Sequence, residues 1–410
     1  MRNQRIGLAV AVAVAAALAP TAPKAVEIAA GAWTFTMNGN VNADYIHSSC
    51  ESNPTNIGGG LACTRSDDGQ TTSSSVSNGL LPAAFVFGAK TTQNGLDLSA
   101  NFGMYPGTST NTGGDPNHAI GGNTNTALGT ASLDIRQVYL TFGNASMGTF
   151  TVGRNIGLFG QDAILNDMTL PGVGGPGGAA TGAPGNTTLG GIGLGYIYTD
   201  WLSQIDYTTP DLSGAKITFG IFDPLNPVGS EAEPKSAPGF HGKFAWTIPG
   251  GFYVSASGLY QKQAATPGVA EYNSHAFDIG GKWTAGPFEV LGWYYKASGV
   301  GTTALFLLGA DAAGNERDSD GFIAQATWTV GPTKFGVNYG QSRLDRSDAE
   351  RALDASTLLV EKNSKVTAGV YHKLTDNLTI LGEYSNVRSQ DQIGDENKGN
   401  TFNIGAFLSF

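Results

Sequence analysis

Apolar and polar residues alternate along most of the chain in runs of about ten residues. In one run, Phe252, Val254 and Tyr260 fall on one face, while Ser255 and Ser257 fall on the other. A period of two over this length predicts β-strands. We count sixteen runs, which start near Trp33, Leu81, Leu96, Ala131, Thr149, Tyr196, Ala215, Gly239, Gly251, Tyr272, Gly286, Asp318, Thr333, Asn363, Asn377 and Asn400.

The breaks between the runs alternate between short and long. Pro249–Gly250 and Gly331–Pro332 are short, whereas His47–Gly79 and Asn155–Gly195 are long. Tight turns at one end and long loops at the other are typical of outer-membrane barrels. Backbone polar groups in hydrocarbon need internal partners, so such strands close into a ring without edges. We therefore predict an all-β fold: a sixteen-stranded antiparallel transmembrane β-barrel over residues 31–410.

The third long loop, Asn155–Gly195, stands out by its length. Structureless loops of this length are usually functional. It contains Asp162 and Asp167 and then a Gly- and Pro-rich stretch, Pro171–Gly185. We predict that this third external loop folds inward and narrows a water-filled channel.

Strand alternation also assigns charged residues to the inner wall. An unpaired cation facing lipid at the bilayer midplane costs roughly 2–4 kcal/mol, so charges belong on the water-filled side. The two signs are nearly balanced there, and we expect a weak preference for cations. The predicted lumen residues are Asp44, Lys90, Asp97, Asp206, Lys243, Asp278, Lys282, Glu289, Lys334, Lys365 and Glu383.

The N-terminus reads as a signal peptide covering residues 1–30. Arg2 and Arg5 precede an apolar stretch, and small residues between about 19 and 30 offer cleavage sites, with Ala22 and Ala30 both plausible ends. The formal net charge of −10 argues against nucleic acid as a partner.

Two further features fit an exported barrel. Cys50 and Cys63 lie in one polar segment, and an exported chain meets oxidising conditions, so we predict a disulfide; the alternative is two unpaired thiols. The last run ends on Phe410. Bacterial outer-membrane barrels commonly end on an aromatic residue, and we expect the barrel-assembly machinery to read it.

No pattern for enzymatic, metal or cofactor chemistry stands out. Gly172–Gly177 fits G-x-G-x-x-G, but no βαβ pattern surrounds it. The five histidines are scattered without metal-ligand spacing, and no G-x-S-x-G motif is present. We predict no enzyme activity, cofactor or metal. Ser347–Ala355 is expected to form a short loop helix.

Three segments carry a resemblance to the general, trimeric porins of Gram-negative bacteria. Asp134–Leu140 followed by Gly148–Arg154 resembles the family's paired strands before the constriction loop. Tyr207–Gly214 resembles its Tyr-x-Ser-Pro-x-x-x-Gly turn, and the Phe-terminated strand is the third segment.

The resemblance implies a constriction at which acidic groups of the third loop face arginines of the wall. Carried over, Arg136 and Arg154 are the basic residues, and Asp162 and Asp167 the acidic ones. Arg154 departs from the pattern, since it shares the parity of Phe150 and Val152.

The resemblance also implies a homotrimer in contact with outer-membrane lipid and lipopolysaccharide. The expected function is passive diffusion of small hydrophilic solutes and ions across the outer membrane. Two alternatives remain open at this stage: a substrate-specific channel with a binding track, and a surface adhesin or structural barrel.

Overall fold

The computed structural model describes residues 25–51, 55–63, 71–108, 133–175, 187–226 and 236–410. Two short helices are present in these ranges, α1 (Gln161–Leu165) and α2 (Asp348–Ala352). The strands are β1 (Val26–Ala30), β2 (Trp33–Cys50), β3 (Thr72–Ser77), β4 (Ala84–Gln93), β5 (Leu96–Pro106), β6 (Leu133–Asn144), β7 (Gly148–Ile156), β8 (Trp201–Thr208), β9 (Ala215–Phe222), β10 (Gly239–Ile248), β11 (Phe252–Gln263), β12 (Tyr272–Ala285), β13 (Phe288–Ser298), β14 (Asp318–Val330), β15 (Thr333–Leu344), β16 (Val360–Lys373), β17 (Leu378–Asp391) and β18 (Glu396–Ser409).

Within this part of the chain, β2 and β4–β18 form a closed antiparallel ring of sixteen strands. Each strand pairs with the next, and β18 pairs with β2 from Asn40 to Cys50. β3 pairs with Asp44–Ser49 of β2, and β4 pairs with Thr34–Asn40 of β2. Together β3 and β4 therefore take one place in the ring. The predicted barrel is confirmed; the largest difference in a strand start is Tyr196 predicted against Trp201 observed.

The ring presents apolar side chains outward and polar ones inward. Large apolar residues such as Phe322, Trp328 and Val366 are exposed, which lipid explains better than water. Buried amides and hydroxyls, such as Asn338 and Thr367, occupy the inner face. Exposed Trp246, Trp283 and Trp328 lie near the short turns and exposed Tyr45, Tyr260 and Tyr294 toward the long loops, as interfacial girdles do.

No helix among the described residues is long and apolar enough to span a bilayer.

The first described residues contribute to the wall. Residues 1–24 of the predicted signal peptide lie outside the described ranges, but Val26–Ala30, predicted to belong to it, form β1 and pair with β2. Glu27 of β1 forms an ion pair with Lys90 of β4, with Oε1 and Nζ 2.6 Å apart. β1 lies in line with the end of β18, because Phe410 exchanges two backbone hydrogen bonds with Gly39 of β2.

The described part of loop 1 (residues 51–71), residues 55–63, lies against the inside of the barrel mouth. Cys50 and Cys63 form a disulfide, with their Cα atoms 5.5 Å apart. The backbone N–H groups of Leu61 and Ala62 donate to Ser389 Oγ at 2.8 and 2.9 Å. The disulfide therefore joins the end of β2 to a loop that is held against the inner face of β17.

Candidate functional site

Loop 3 (residues 157–200) connects β7 and β8, and its described parts, residues 157–175 and 187–200, fold into the barrel as predicted. The rest of the Gly- and Pro-rich stretch lies outside the described residues. The described residues of loop 3 include Leu170, Val173 and Leu194, all buried. Helix α1 begins after Gly160, whose φ of 74° is in the left-handed region that glycine tolerates. The N–H of Gly160 donates to Asp278 Oδ2 of β12 at 2.7 Å, which fixes the start of the helix against the wall.

Loop 3 is attached to strands β12–β17 and also to the segment before β4, where the N–H groups of Leu80 and Leu81 donate to the carbonyls of Gly172 and Leu170. Lys282 of β12 donates to Asn166 Oδ1 at 2.8 Å. Gln325 of β14 accepts from the N–H of Met168 at 2.7 Å. Both contacts hold the loop away from the opposite wall and leave space on that side.

Two charged residues of the inner wall form a further attachment of loop 3, which we call the loop clamp: Lys365 and Glu383. Glu383 accepts from the N–H groups of Val173 and Gly174, both at 2.8 Å. Lys365 donates to the carbonyls of Gly174 and Gly190 at 2.7 and 2.8 Å. The clamp residues are only 1% and 2% exposed, so their charges are satisfied by loop 3 and not by water.

Asp167 lies inside loop 3 and does not reach the open space. It is 3% exposed and accepts hydrogen bonds from Tyr196 Oη at 2.7 Å and from the N–H of Thr169 at 2.9 Å. Its carboxylate therefore braces the loop. Of the two acidic residues predicted for the constriction, only Asp162 faces the space that loop 3 leaves.

That space, which we call the passage, lies between loop 3 and strands β2 and β4–β11 and has a volume of about 360 Å³. Lys243 Nζ lies 3.3 Å from Asp162 Oδ1, and Tyr253 donates to Asp162 Oδ2 at 2.8 Å. Opposite charges are thus paired directly at the narrowing. Its polar lining residues are Asn38, Asn40, Tyr105, Gln137, Tyr139, Thr151, Asn155, Gln161, Asp162, Gln204, Asp206, Thr208, Lys216, Thr218, Lys243 and Tyr253.

Arg136 is inward but does not line the passage. It is the extra residue of a β-bulge between β5 and β6, which turns both Arg136 and Gln137 inward. Its Nε donates to Asp134 Oδ2 at 2.6 Å, and its guanidinium lies 5.1 Å from the centre of the Tyr105 ring. Arg136 therefore supports Tyr105, which does line the passage.

The structure corrects the placement of Arg154. Its register partner on β6 is Val138, which faces outward and is 41% exposed, and its partner on β8 is Ser203. Arg154 thus belongs to the outer face of the barrel, as its parity with Val152 indicates. Its Nε is buried and, among the residues that the structure describes, has no hydrogen-bond partner.

The other predicted wall charges lie on the inner face, in three settings. Asp44 and Asp206 are buried and accept from Asn403 and His241. Lys90, Asp97, Lys282 and Glu289 lie toward the short-turn end, and Lys334 lies over the Tyr371 ring at 4.7 Å. The sequence reasoning missed Lys216, although alternation with Ile217 and Phe219 on β9 places it inside.

No group of three or more metal-ligating side chains that would hold an ion occurs in the described ranges.

Known proteins share this architecture. The family model for Gram-negative porins matches residues 7–392. The chain belongs to this porin family. It is an outer-membrane channel for passive diffusion of solutes. A comparison with curated proteins gives no match.

Solved structures share the porin fold at low identity. The outer membrane channel DcaP of Acinetobacter baumannii is 16% identical, with a TM-score of 0.64 over 93% of this chain and 99% of that one. An anion-selective porin from Comamonas acidovorans is 14% identical, with a TM-score of 0.61 over 92% and 100%. The trimer form of OmpT from Vibrio cholerae is 14% identical, with a TM-score of 0.53 over 92% and 100%.

The external mouth of this porin is narrowed by loop 6 (residues 299–317) and loop 7 (residues 345–359), joined by a pair that we call the mouth latch: Arg317 and Glu350. Arg317 Nε and Nη2 donate to the two carboxylate oxygens of Glu350 at 2.9 and 2.5 Å. Ser347 caps α2 and accepts from the N–H of Glu350 at 3.1 Å. The latch ties the two loops by a buried bidentate pair.

The mouth latch is expected to be sensitive to acid. Hydrogen bonds from Arg317 lower the pKa of Glu350 from its ordinary 4.5 to about 2. Because the folded-state pKa is depressed, the latch stabilises loop 7 fully above pH 4.5 and loses this stabilisation as the pH falls toward 2. At pH 3 we expect local opening of loop 7 to be easier by about 1–2 kcal/mol.

Hydrogen–deuterium exchange of residues 345–359, corrected for intrinsic rates, measures this opening. Arg317→Ala should lose the protection already at pH 6, whereas Arg351→Ala, whose partner Asp348 is exposed, should not. Equal protection at pH 6 and pH 3 in the natural sequence would contradict the assignment.

Proposed function

We propose that the chain is a general porin, a non-enzymatic homotrimer whose subunits each admit small hydrophilic solutes and ions through the passage. The observation that carries the proposal is the polar passage beside loop 3. Amides, tyrosines and the ion pair of Asp162 and Lys243 line this passage in place of a specific high-affinity binding site. Such a lining favours hydrated solutes and disfavours apolar ones.

Single-channel recording of the purified protein in salts of differently sized ions tests the proposal. A general porin should give a linear, open conductance that falls as ion size increases. Saturable block by one solute at low concentration would favour the substrate-specific channel. The absence of conductance would favour an adhesin or a structural barrel.

The pair of Asp162 and Lys243 is proposed to set the ion preference, with a weak overall preference for cations. Asp162→Asn leaves Lys243 unpaired and should shift the cation-to-anion permeability ratio toward anions about five-fold, which corresponds to about 1 kcal/mol. Lys243→Gln should shift the ratio by a similar factor toward cations.

Reversal potentials in a salt gradient measure these ratios. Asp167→Asn, inside loop 3, serves as the control and should leave the ratio unchanged. Shifts of the same sign in Asp162→Asn and Lys243→Gln would refute the assignment.

The outer face around Arg154 supports the homotrimer proposal. Val138, Leu140, Val152 and Ile205 surround this single cation on β6–β8 with apolar side chains. A cation facing lipid at mid-depth is costly, but one facing an acceptor on a second copy is not. We therefore assign this face to the contact between subunits.

We also propose a signal-cleavage position and an assembly signal for this chain. Because Val26–Ala30 form a strand of the wall, we place signal cleavage before Val26; N-terminal sequencing that begins after Ala30 would contradict this. Phe410, with its ring 6.3 Å from that of Phe85, is proposed as the signal for the assembly machinery. Deletion of Phe410 should lower the yield of inserted barrel without changing the conductance of the barrels that form.

A further inference from the structure

The lining of the passage differs between two sides of the barrel. Strands β2–β7 contribute no charged residue to it, whereas β8–β10 contribute Asp206, Lys216 and Lys243. On the uncharged side, Ala84 and Val86 of β4 are apolar, although inward positions in a water-filled barrel are ordinarily polar. A solute in the passage therefore meets a partly apolar wall on one side and a charged wall on the other.

The apolar side combines residues of the wall and of loop 3. Ala84 packs in one cluster with Tyr105 and Ile156, and Leu165 of helix α1 packs against that cluster. Val86 is the next inward residue of β4, and both Val86 and Leu165 are only partly buried and line the passage. Their apolar surface is thus not used up by the packing of loop 3. An apolar group that covers it removes it from water, which is favourable.

Lys216 supplies the available charge on the other side. Asp162 and Lys243 are paired with each other. Asp206 is only 4% exposed and accepts a hydrogen bond from His241 at 2.8 Å. The amine of Lys216, in contrast, has no ion pair or hydrogen bond among the described residues. In the strand register it lies about 7 Å from the level of Lys243 toward the short turns, so a solute meets this ammonium group just below the narrowing.

We propose that the passage contains a weak binding site for organic carboxylates with a compact apolar body, which we call the carboxylate subsite: Lys216, Val86 and Leu165. The carboxylate pairs with the Lys216 ammonium group, and the body covers Val86 and Leu165. The three residues line one cavity of about 360 Å³, which is within the range of small-molecule sites. The inference rests on the proposed porin function and names one class of solute that the passage retains.

Block of the open channel by cyclohexanecarboxylate, in single-channel recordings in potassium chloride at pH 7, tests the subsite. Three related solutes each lack one feature: acetate lacks the apolar body, cyclohexanol lacks the charge, and cyclohexylammonium carries the opposite charge. We expect cyclohexanecarboxylate to block at millimolar concentration and the other three to need about ten-fold more. Cyclopentanecarboxylate and benzoate should block as cyclohexanecarboxylate does, which distinguishes a subsite for a class of solutes from a site specific for one.

Two substitutions separate the charged half of the subsite from the apolar half. Lys216→Gln should weaken the block by cyclohexanecarboxylate about five-fold and leave the block by cyclohexanol unchanged. Val86→Thr keeps the shape of the side chain but replaces a methyl group with a hydroxyl, so it should weaken the block by both solutes about three-fold. Lys334→Gln is the matched control and should change neither, because Lys334 lies over the Tyr371 ring and does not line the passage.

The open conductance of each variant, measured before any organic solute is added, shows that the barrel has folded and inserted. Equal block by cyclohexanecarboxylate and cyclohexanol would overturn the subsite, as would equal weakening in Lys216→Gln and Lys334→Gln. In either case an ordinary open conductance would still support the general porin. The absence of conductance in every salt would overturn both proposals.

Discussion

Replacing Glu383 with alanine is expected to lower the free energy of unfolding of the barrel by about 3–5 kcal/mol. The substitution leaves the N–H groups of Val173 and Gly174 without their acceptor and removes the partner of Tyr371 Oη. It also leaves Lys365 buried without the nearby negative charge. Loop 3 would then detach from β16 and β17, and the open cross-section of the channel should become larger and less constant.

Two measurements check this expectation: unfolding in guanidinium by tryptophan fluorescence, and single-channel conductance with its noise. Glu289→Ala is the matched control, since this carboxylate lies on the inner face of β13 and is not bonded to loop 3. Glu383→Gln retains one acceptor oxygen and should lose less than the alanine variant. Unchanged conductance and noise in a folded Glu383→Ala barrel would show that the clamp does not position loop 3.

Replacing Arg154 with leucine is expected to weaken the proposed trimer by about 2–5 kcal/mol, the usual result of truncating one partner of a buried charge pair at an interface. The sign of the effect decides between two environments. If Arg154 faced lipid instead, leucine would stabilise the barrel, by roughly 2–4 kcal/mol at mid-depth. No other residue of this outer face offers such opposite outcomes.

The temperature at which the oligomer dissociates on SDS gels measures the effect. We expect a lower dissociation temperature for Arg154→Leu and an unchanged one for Val152→Leu, a neighbouring substitution of one apolar residue by another on the same face. A higher dissociation temperature for Arg154→Leu would place this face against lipid and remove the support it gives to the trimer proposal.

The sequence was sufficient for the barrel because its wall follows a local rule. On a strand between lipid and water, the odd or even position of a residue shows whether its side chain faces the lipid or the lumen. The strands near Trp33, Thr333 and Leu378 follow this rule. The same rule pointed to the outer face for Arg154, and the family resemblance pointed inward. Parity was the better guide, because the resemblance rests on a short motif and the parity on the physical surroundings.

The interior of the site was less predictable, because it depends on which wall residues meet loop 3. Lys365 and Glu383 have the same inward parity as Lys90 and Asp97, yet the first two are enclosed by loop 3 and the last two are near the rim. Nothing local in the sequence encodes this difference. The mouth latch left a partial signal, since Ser347 and Glu350 have the spacing of a capping box, but the partner Arg317 comes from another loop.

The pairing of β18 with β2 has a consequence for how the protein inserts into the membrane. β2 is the first strand of the ring and β18 the last, so the seam between them cannot close until β18 has left the export apparatus. Until then, the free edges of β2 and β18 expose unpaired N–H and C=O groups, which are costly to place in hydrocarbon. Insertion should therefore be an all-or-none event that waits for β18, and a chain truncated before β18 should fail to enter the membrane.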